Sequence, residues 1–272
     1  MSIDERASAE LKAELLAVGL AAAAEAGGLL RDGRPADLAV AATKSSPIDV
    51  VTEMDIAAEK LITDLLAERR PTDGLLGEEG ADSPGTSGVR WIVDPLDGTV
   101  NYLYGLPSWS VSIAAEYRGE TVVGVVAAPM RGETYHAVLG EGAWLGDRRL
   151  RCRAAAPLDQ ALVATGFAYL QGRKERQAEV VRRILPRVRD IRRAGSAALD
   201  LSDVAAGRLD GYYERGLNPW DLAAGALIAR EAGAVTGGRP GEPASGELAL
   251  AATPAVFASL QPLLEEAGAW HD

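Results

Sequence analysis

Three short segments set carboxylates beside apolar residues: Gly77-Glu-Glu-Gly, Val93-Asp-Pro-Leu-Asp-Gly-Thr and Pro219-Trp-Asp-Leu-Ala-Ala-Gly. Asp94 follows Trp91-Ile-Val directly, so it falls at the end of a strand expected to be buried. An uncompensated carboxylate there is costly unless its pKa rises and it neutralises itself. Pro95 fixes the backbone just after the strand, and Gly98 opens conformations closed to other residues, so Asp94 and Asp97 can turn back toward one centre. Two anions held that close call for a cation. Oxygen-only ligands favour Mg²⁺, Mn²⁺ or Ca²⁺, and a small hard ion with open water positions suits phosphate chemistry. Taken singly, each cluster also has a plainer account: an Asx-turn for Asp94 and Asp97, surface positions for Glu78 and Glu79, and a helix N-terminal acid for Asp221.

Other chemistries are thin on the ground. The chain has one cysteine, Cys152, and two distant histidines, His136 and His271, which cannot build a thiolate or imidazole zinc site or a disulfide framework. A covalent phosphohistidine or phosphocysteine route needs a positioned His, or a Cys followed by an anion-binding loop, and Cys152 is followed by Arg-Ala-Ala-Ala-Pro. The formal net charge of −11 argues against nonspecific nucleic-acid binding. One segment runs against that balance: Arg173 to Arg193 carries nine basic residues, expected to form a solvated helix face or, alternatively, a site for a protein partner or a polyanion.

The elements that must position these groups follow from pattern. Residues 7–30 are rich in Ala, Leu and Glu and predict a first helix ending at Gly27-Gly28. The apolar run Leu15–Ala24 is too short to span a bilayer and the start lacks a secretory signal, so no membrane segment and a cytoplasmic location are expected. A loop or hairpin then holds Lys44-Ser-Ser-Pro-Ile-Asp-Val-Val-Thr, and a second helix is expected from Asp55 as N-cap. Runs at Arg90-Trp-Ile-Val, Ser110–Ala114, Thr121–Ala127 and Glu133–Val138 predict a mainly antiparallel sheet. After about residue 155 strands and helices alternate, and residues 236–247 are expected to be an exposed loop. The fold class is α+β with an α/β second half, divided as 1–154 and 155–272.

Read together, Glu78-Glu79, Asp94-Pro-Leu-Asp-Gly-Thr-Val-Asn and Trp220-Asp-Leu-Ala-Ala-Gly resemble the signatures of the inositol monophosphatase family of Mg²⁺-dependent, Li⁺-sensitive phosphatases. The likeness extends to the Lys44 segment, Gly105-Leu-Pro, Arg193-Ala-Gly-Ser-Ala-Ala and Tyr212-Tyr-Glu-Arg-Gly-Leu. It implies a layered αβαβα sandwich of the inositol monophosphatase/fructose-1,6-bisphosphatase type, assembled as a homodimer. By the same resemblance, Glu78, Asp94 and the Leu96 carbonyl would hold one Mg²⁺, and Asp94, Asp97 and Asp221 a second, with a third ion left open and Mn²⁺ as a substitute. Glu79 would be a neighbouring or weaker ligand. Thr99, at the start of a helix, would bond the attacking water and pass its proton toward Asp49, with Lys44 on the same loop as Asp49, and the N–H groups of Gly98 and Thr99 would offer an anion site. Gly195, Ser196 and Ala197 would line a sugar ring, and Glu214 would accept its hydroxyls.

The implied activity is hydrolysis of myo-inositol monophosphate or a similar polyol phosphate by water attack. Branches acting on histidinol phosphate, fructose 1,6-bisphosphate or 3′-phosphoadenosine 5′-phosphate share the metal motifs. Some bacterial relatives act instead in transcription or RNA processing, for which the Arg173–Arg193 stretch would be the contact surface.

Overall fold

The structure is a computed structural model that describes residues 7–45, 47, 50–154 and 156–270. The chain opens with helix α1 (Ala9–Asp32), a two-stranded hairpin of β1 (Ala42–Thr43) and β2 (Val50–Val51), and helix α2 (Glu53–Arg69). Strands β3 (Gly74–Gly77), β4 (Asp82–Ser83) and β5 (Val89–Asp97) lead to the short helix α3 (Thr99–Leu103). Then come β6 (Ser110–Tyr117), β7 (Glu120–Ala128), β8 (Glu133–Val138), β9 (Gly142–Leu145) and β10 (Arg148–Arg149). The second half runs β11 (Leu162–Thr165), α4 (Gln171–Ile184), β12 (Asp190–Arg192), α5 (Ala197–Ala205), β13 (Gly211–Glu214), α6 (Pro219–Glu231), β14 (Val235–Gly237), β15 (Ala249–Ala252) and α7 (Pro254–Ala267).

The first sheet has the order β10-β9-β8-β7-β6-β5-β3-β4, antiparallel throughout except where β3 runs parallel to β5. The second has the order β12-β11-β13-β15-β14, with β11 parallel to both its neighbours and β15 antiparallel to both of its own. Alternation along the strands decides the layering. Trp91, Val93, Val111, Ile113, Val123 and Val125 turn to one face of the first sheet, against Leu15, Val18 and Ala22 of α1 and Ala58 and Ile62 of α2. Ile92, Ala114 and Val126 turn to the other, against α5 and α6 through Leu199, Ala224, Leu227 and Ile228. The opposite side of those two helices packs, through Leu201, Val204 and Ala229, on Tyr212 and Ala251 of the second sheet. Helices α4 and α7 close the far face with Val180, Ile184, Val256 and Leu260. The result is the expected αβαβα sandwich, with the two halves sharing a middle layer. Gly124 allows the close approach of α6, because a methyl there would meet the Ala224 carbonyl oxygen at 2.8 Å.

Three sequence expectations change. Helix α1 does not stop at Gly27-Gly28; Gly27 lies against Pro129, where a methyl would come within 2.8 Å of Cγ, and the helix continues to Asp32 with Gly33 at its end. At 24 residues, with an 18-residue window of mean hydropathy 1.5, α1 is long and apolar enough to cross a membrane by length and composition, but Leu15, Val18, Ala22, Ala23, Ala26 and Leu30 are packed in the core. The N-cap of α2 is Thr52, whose hydroxyl and backbone N–H both meet Asp55 in a capping box, so Asp55 sits inside the helix. Finally, the supposed loop 236–247 begins as strand β14, and Gly237 and Gly238 are buried.

Candidate active site

The site lies where β5 ends. Pairing between β5 and β6 shifts register between Asp94 and Asp97, the stretch containing Pro95, which has no N–H to give to the ladder. Gly98 then takes φ +101°, and a methyl there would meet the Ser108 carbonyl at 2.9 Å and the Gly195 carbonyl at 3.1 Å. Only glycine fits that turn comfortably. The bulge and turn bring Asp94 and Asp97 inward, and the first turn of α6 delivers Asp221 from the second half. Carboxylate oxygens of the three lie within 4.8 Å of one another.

Burial dominates their electrostatics. Asp94 is 1% exposed, and burial, then Glu78, Asp97 and Asp221, push its pKa well above the usual range. Burial pushes Asp97 up to about 6, against hydrogen bonds donated by Ser196 Oγ at 2.6 Å and Ala198 N at 2.8 Å. Asp221 is raised by burial and by Asp97 and Glu78, while its carboxylate accepts from Asn218 N at 2.6 Å. All-oxygen donors crowded this tightly, at a cost to their ionised forms, fit a hard divalent cation. Lys44 Nζ bonds Glu78 Oε1 at 2.8 Å and Glu79 Oε1 at 2.7 Å. Burial pulls the Lys44 pKa down, but the two carboxylates outweigh it and the net movement is upward. Burial likewise raises Glu79 to about 7 despite Lys44.

Thr99 opens α3. Its hydroxyl lies 2.8 Å from Asp55 Oδ1 and 3.1 Å from the Leu96 carbonyl. Asp49, the expected proton acceptor, lies outside the described residues; the carboxylate bonded to Thr99 is Asp55. Burial raises the Asp55 pKa, against bonds from Thr52 and Thr99. The signal for this was present in sequence as the Thr52-x-x-Asp55 capping box, which leaves one Asp55 oxygen spare for another donor. Helix α3 is a single turn, so what the anion-site expectation retains is the backbone at Gly98 and Thr99 rather than a long helix dipole.

A cavity of about 410 Å³ opens over these groups, lined by Lys44, Glu78, Asp94, Leu96, Asp97, Gly98, Thr99 and Asp221 and, from the second half, by Gly195, Ala197, Asp200 and Glu214. Glu214 accepts from Tyr212 Oη at 2.7 Å, and burial, against Tyr212 and Arg193, lifts its pKa to about 7. Gly166 makes room for that carboxylate, since a methyl on it would collide with Glu214. Ser196 does not line the cavity: its hydroxyl is turned to Asp97 and it caps α5 through Leu199 N. Asp200, Arg173 and Arg193, which sequence reasoning passed over as site residues, also face the cavity. The basic stretch is therefore divided. Arg173 and Arg193 belong to the cavity, while Arg182 and Arg183 pair with Glu179, and Arg192 with Asp190.

Comparison with known proteins places this arrangement. The model of the inositol monophosphatase family matches residues 11–269. An inositol-1-monophosphatase, SuhB, of Mycobacterium tuberculosis is 48% identical over 94% of this chain and 91% of its own. The Nus factor SuhB of Escherichia coli K12 is 42% identical over 81% of this chain and 84% of its own. The crystal structure of the extragenic suppressor protein SuhB from Bartonella henselae superposes with a TM-score of 0.87 at 39% identity, covering 93% of this chain and 98% of the other.

Proposed function

The chain belongs to the inositol monophosphatase family, and from that premise we propose that it is a Mg²⁺-dependent phosphomonoesterase for myo-inositol monophosphate or a closely similar polyol phosphate. The observation carrying this is the cluster of buried Asp94 and Asp97 with half-buried Asp221, opening into a cavity whose lining also holds Glu214. Glu78, Asp94 and the Leu96 carbonyl on one side, and Asp94, Asp97 and Asp221 on the other, would hold two divalent cations. When bound, these supply an acidified water and neutralise charge on the phosphoryl group and leaving oxygen.

The protein's own groups do the rest. Thr99 donates its hydroxyl hydrogen to Asp55, which leaves its oxygen free to accept from, and orient, a water in the cavity. Asp55, buried and raised in pKa, is suited to take up the proton. Lys44 and the backbone N–H groups of Gly98 and Thr99 offer positive charge and donors to the phosphate. Glu214 has its Oε2 tied to Tyr212 and would present its other oxygen to ring hydroxyls, so a substrate lacking those hydroxyls leaves that oxygen without a partner. Ser196 and Ala198 hold Asp97 in place, and Gly195 and Ala197 shape the wall next to the ring. We also expect a homodimer, which light scattering checks.

The test is phosphate release from myo-inositol 1-phosphate, histidinol phosphate, fructose 1,6-bisphosphate and 3′-phosphoadenosine 5′-phosphate, with Mg²⁺ and with EDTA. The inositol ester should show the highest kcat/KM, and EDTA should stop the reaction. Another ester in front would overturn the substrate assignment alone; no cleavage of any ester with Mg²⁺ present would overturn the enzyme. A second function in transcription is suggested by the name of the E. coli relative. It would use exposed arginines of α4, and replacing Arg182 and Arg183 by Glu would then abolish partner binding without touching phosphate release.

A further inference from the structure

Glu59 lies on α2, one turn beyond Asp55, and is only 7% exposed. Its two carboxylate oxygens each accept a backbone N–H from the turn after β3: Oε2 from Glu79 N at 2.8 Å, Oε1 from Ala81 N at 3.0 Å. That turn is the segment Gly77-Glu78-Glu79-Gly80-Ala81. It is closed by Gly77 N donating to the Ala81 carbonyl at 2.6 Å, and hung on β5 by Glu78 N donating to the Val93 carbonyl at 3.1 Å, beside Asp94. Gly80 takes φ +114°, a conformation open to glycine. Gly77 is also required by contact, because a methyl on it would collide with the Glu59 carboxylate. The turn that carries Glu78 and Glu79 is thus built around an acid contributed by another element.

We propose that Glu59 is a positioning residue that sets divalent-cation affinity by fixing the backbone of the Glu78–Glu79 turn; this rests on the phosphatase function proposed above. The same helix face does two jobs. Asp55, at the first turn, receives the Thr99 hydroxyl, and Glu59, four residues on, receives the ligand turn. Residues four apart lie on one face about 6 Å apart along the axis. Helix α2 therefore fixes the spacing between the group that orients water and the turn that supplies cation ligands. Both donors need a lone pair, which a carboxylate provides on each oxygen and a glutamine provides on only one, its amide nitrogen facing a backbone N–H instead.

The experiment compares wild type with Glu59→Gln and Glu59→Asp. Two readouts are taken: the Mg²⁺ concentration for half-maximal phosphate release, and Mn²⁺ binding followed by electron paramagnetic resonance without substrate. Glu59→Gln should weaken Mn²⁺ binding and raise the half-activating Mg²⁺ about tenfold or more. Excess metal should restore kcat to within about twofold of wild type. Glu59→Asp, which keeps both acceptors but is one methylene short, should fall between, and it carries the same test if Glu59→Gln does not fold by circular dichroism in EDTA. Unchanged Mn²⁺ affinity in the folded variants, or a kcat loss that metal does not rescue, would overturn the role of Glu59. If wild type itself neither binds Mn²⁺ nor releases phosphate, it is the proposed function that fails.

Discussion

Replacing Asp97 by Asn should make the cation-free protein more stable and the enzyme inactive, and the two effects share one cause. Burial pushes the Asp97 carboxylate from 3.8 to about 6. At about 1.4 kcal/mol for each tenfold change in proton affinity, the ionised form costs the cation-free fold about 3 kcal/mol above pH 6. This carboxyl has a raised pKa, so the cost is fully present above the folded value and disappears as pH falls toward the unfolded one. Asparagine removes the charge but weakens two hydrogen bonds, from Ser196 Oγ and Ala198 N, by about 1 kcal/mol each. The net gain is about 1 kcal/mol, or about 2–4 °C in melting temperature for a chain of this size. Saturating Mg²⁺ should reverse the order. Wild type gains about 2.7 kcal/mol at a hundred times Kd, and the variant, one carboxylate short, gains far less. Turnover should fall at least about a thousandfold, since several kcal/mol of transition-state charge stabilisation pass through the cation cluster. The assay is thermal unfolding at pH 7.5 in EDTA and in a Mg²⁺ series, beside phosphate release. Wild-type turnover in the variant, or a Mg²⁺-dependent rise in melting temperature equal to that of wild type, would refute the reasoning.

Other outcomes follow from single contacts. Glu214→Gln should raise KM for the inositol ester on the order of tenfold, because a charged acceptor for ring hydroxyls is lost, while p-nitrophenyl phosphate, which has no such hydroxyls, changes little. Gly98→Ala should destabilise by about 2 kcal/mol or more, from the positive φ and the collision with the Ser108 carbonyl, as read by urea unfolding. Gly124→Leu should cost about 1–3 kcal/mol by pressing α6 off the first sheet at Ala224. Arg208 holds the Glu133 carboxyl down to about 2, so that pair stabilises the fold above about pH 4.5 and the contribution is lost as pH falls toward 2. Glu133→Gln should flatten the stability profile in that window and lower stability by a constant amount from about pH 4.5 to neutrality, as read by urea unfolding across pH.

The layered architecture and most of the residues gathered at the candidate site were legible because their signals are local. The β-branched runs that became β5, β6, β7 and β8 carry their two-residue period in plain view, and Asp94-Pro-Leu-Asp-Gly-Thr packs bulge, turn and two carboxylates into six residues. What was missed depends on contacts between distant elements. Asp55 looked like a helix cap, and its spare oxygen acquired a meaning only when α3 delivered Thr99 beside it. Ser196 sits in a segment that borders the cavity, but the demand of Asp97 for a donor turned it inward. Glu59 has no sequence signal at all, since its two partners lie 20 and 22 residues away along the chain. The early end assigned to α1 failed for the converse reason: Gly27 and Gly28 are a helix stop only where nothing packs against them, and Pro129 packs against Gly27.

The middle helical layer has a bearing on synthesis. While the ribosome is still extending the chain, the first sheet can be complete through β10, with Ile92, Ala114 and Val126 displayed on a face whose cover, α5 and α6, is not yet translated. A nascent chain at that stage is a sticky, half-clad sheet that already carries Glu78, Asp94 and Asp97 but no Asp221. It should engage chaperones that shield apolar surface. A fragment ending at Ala154 should be recovered in inclusion bodies, and co-expression with the segment from Ala156 onward should bring it back into solution.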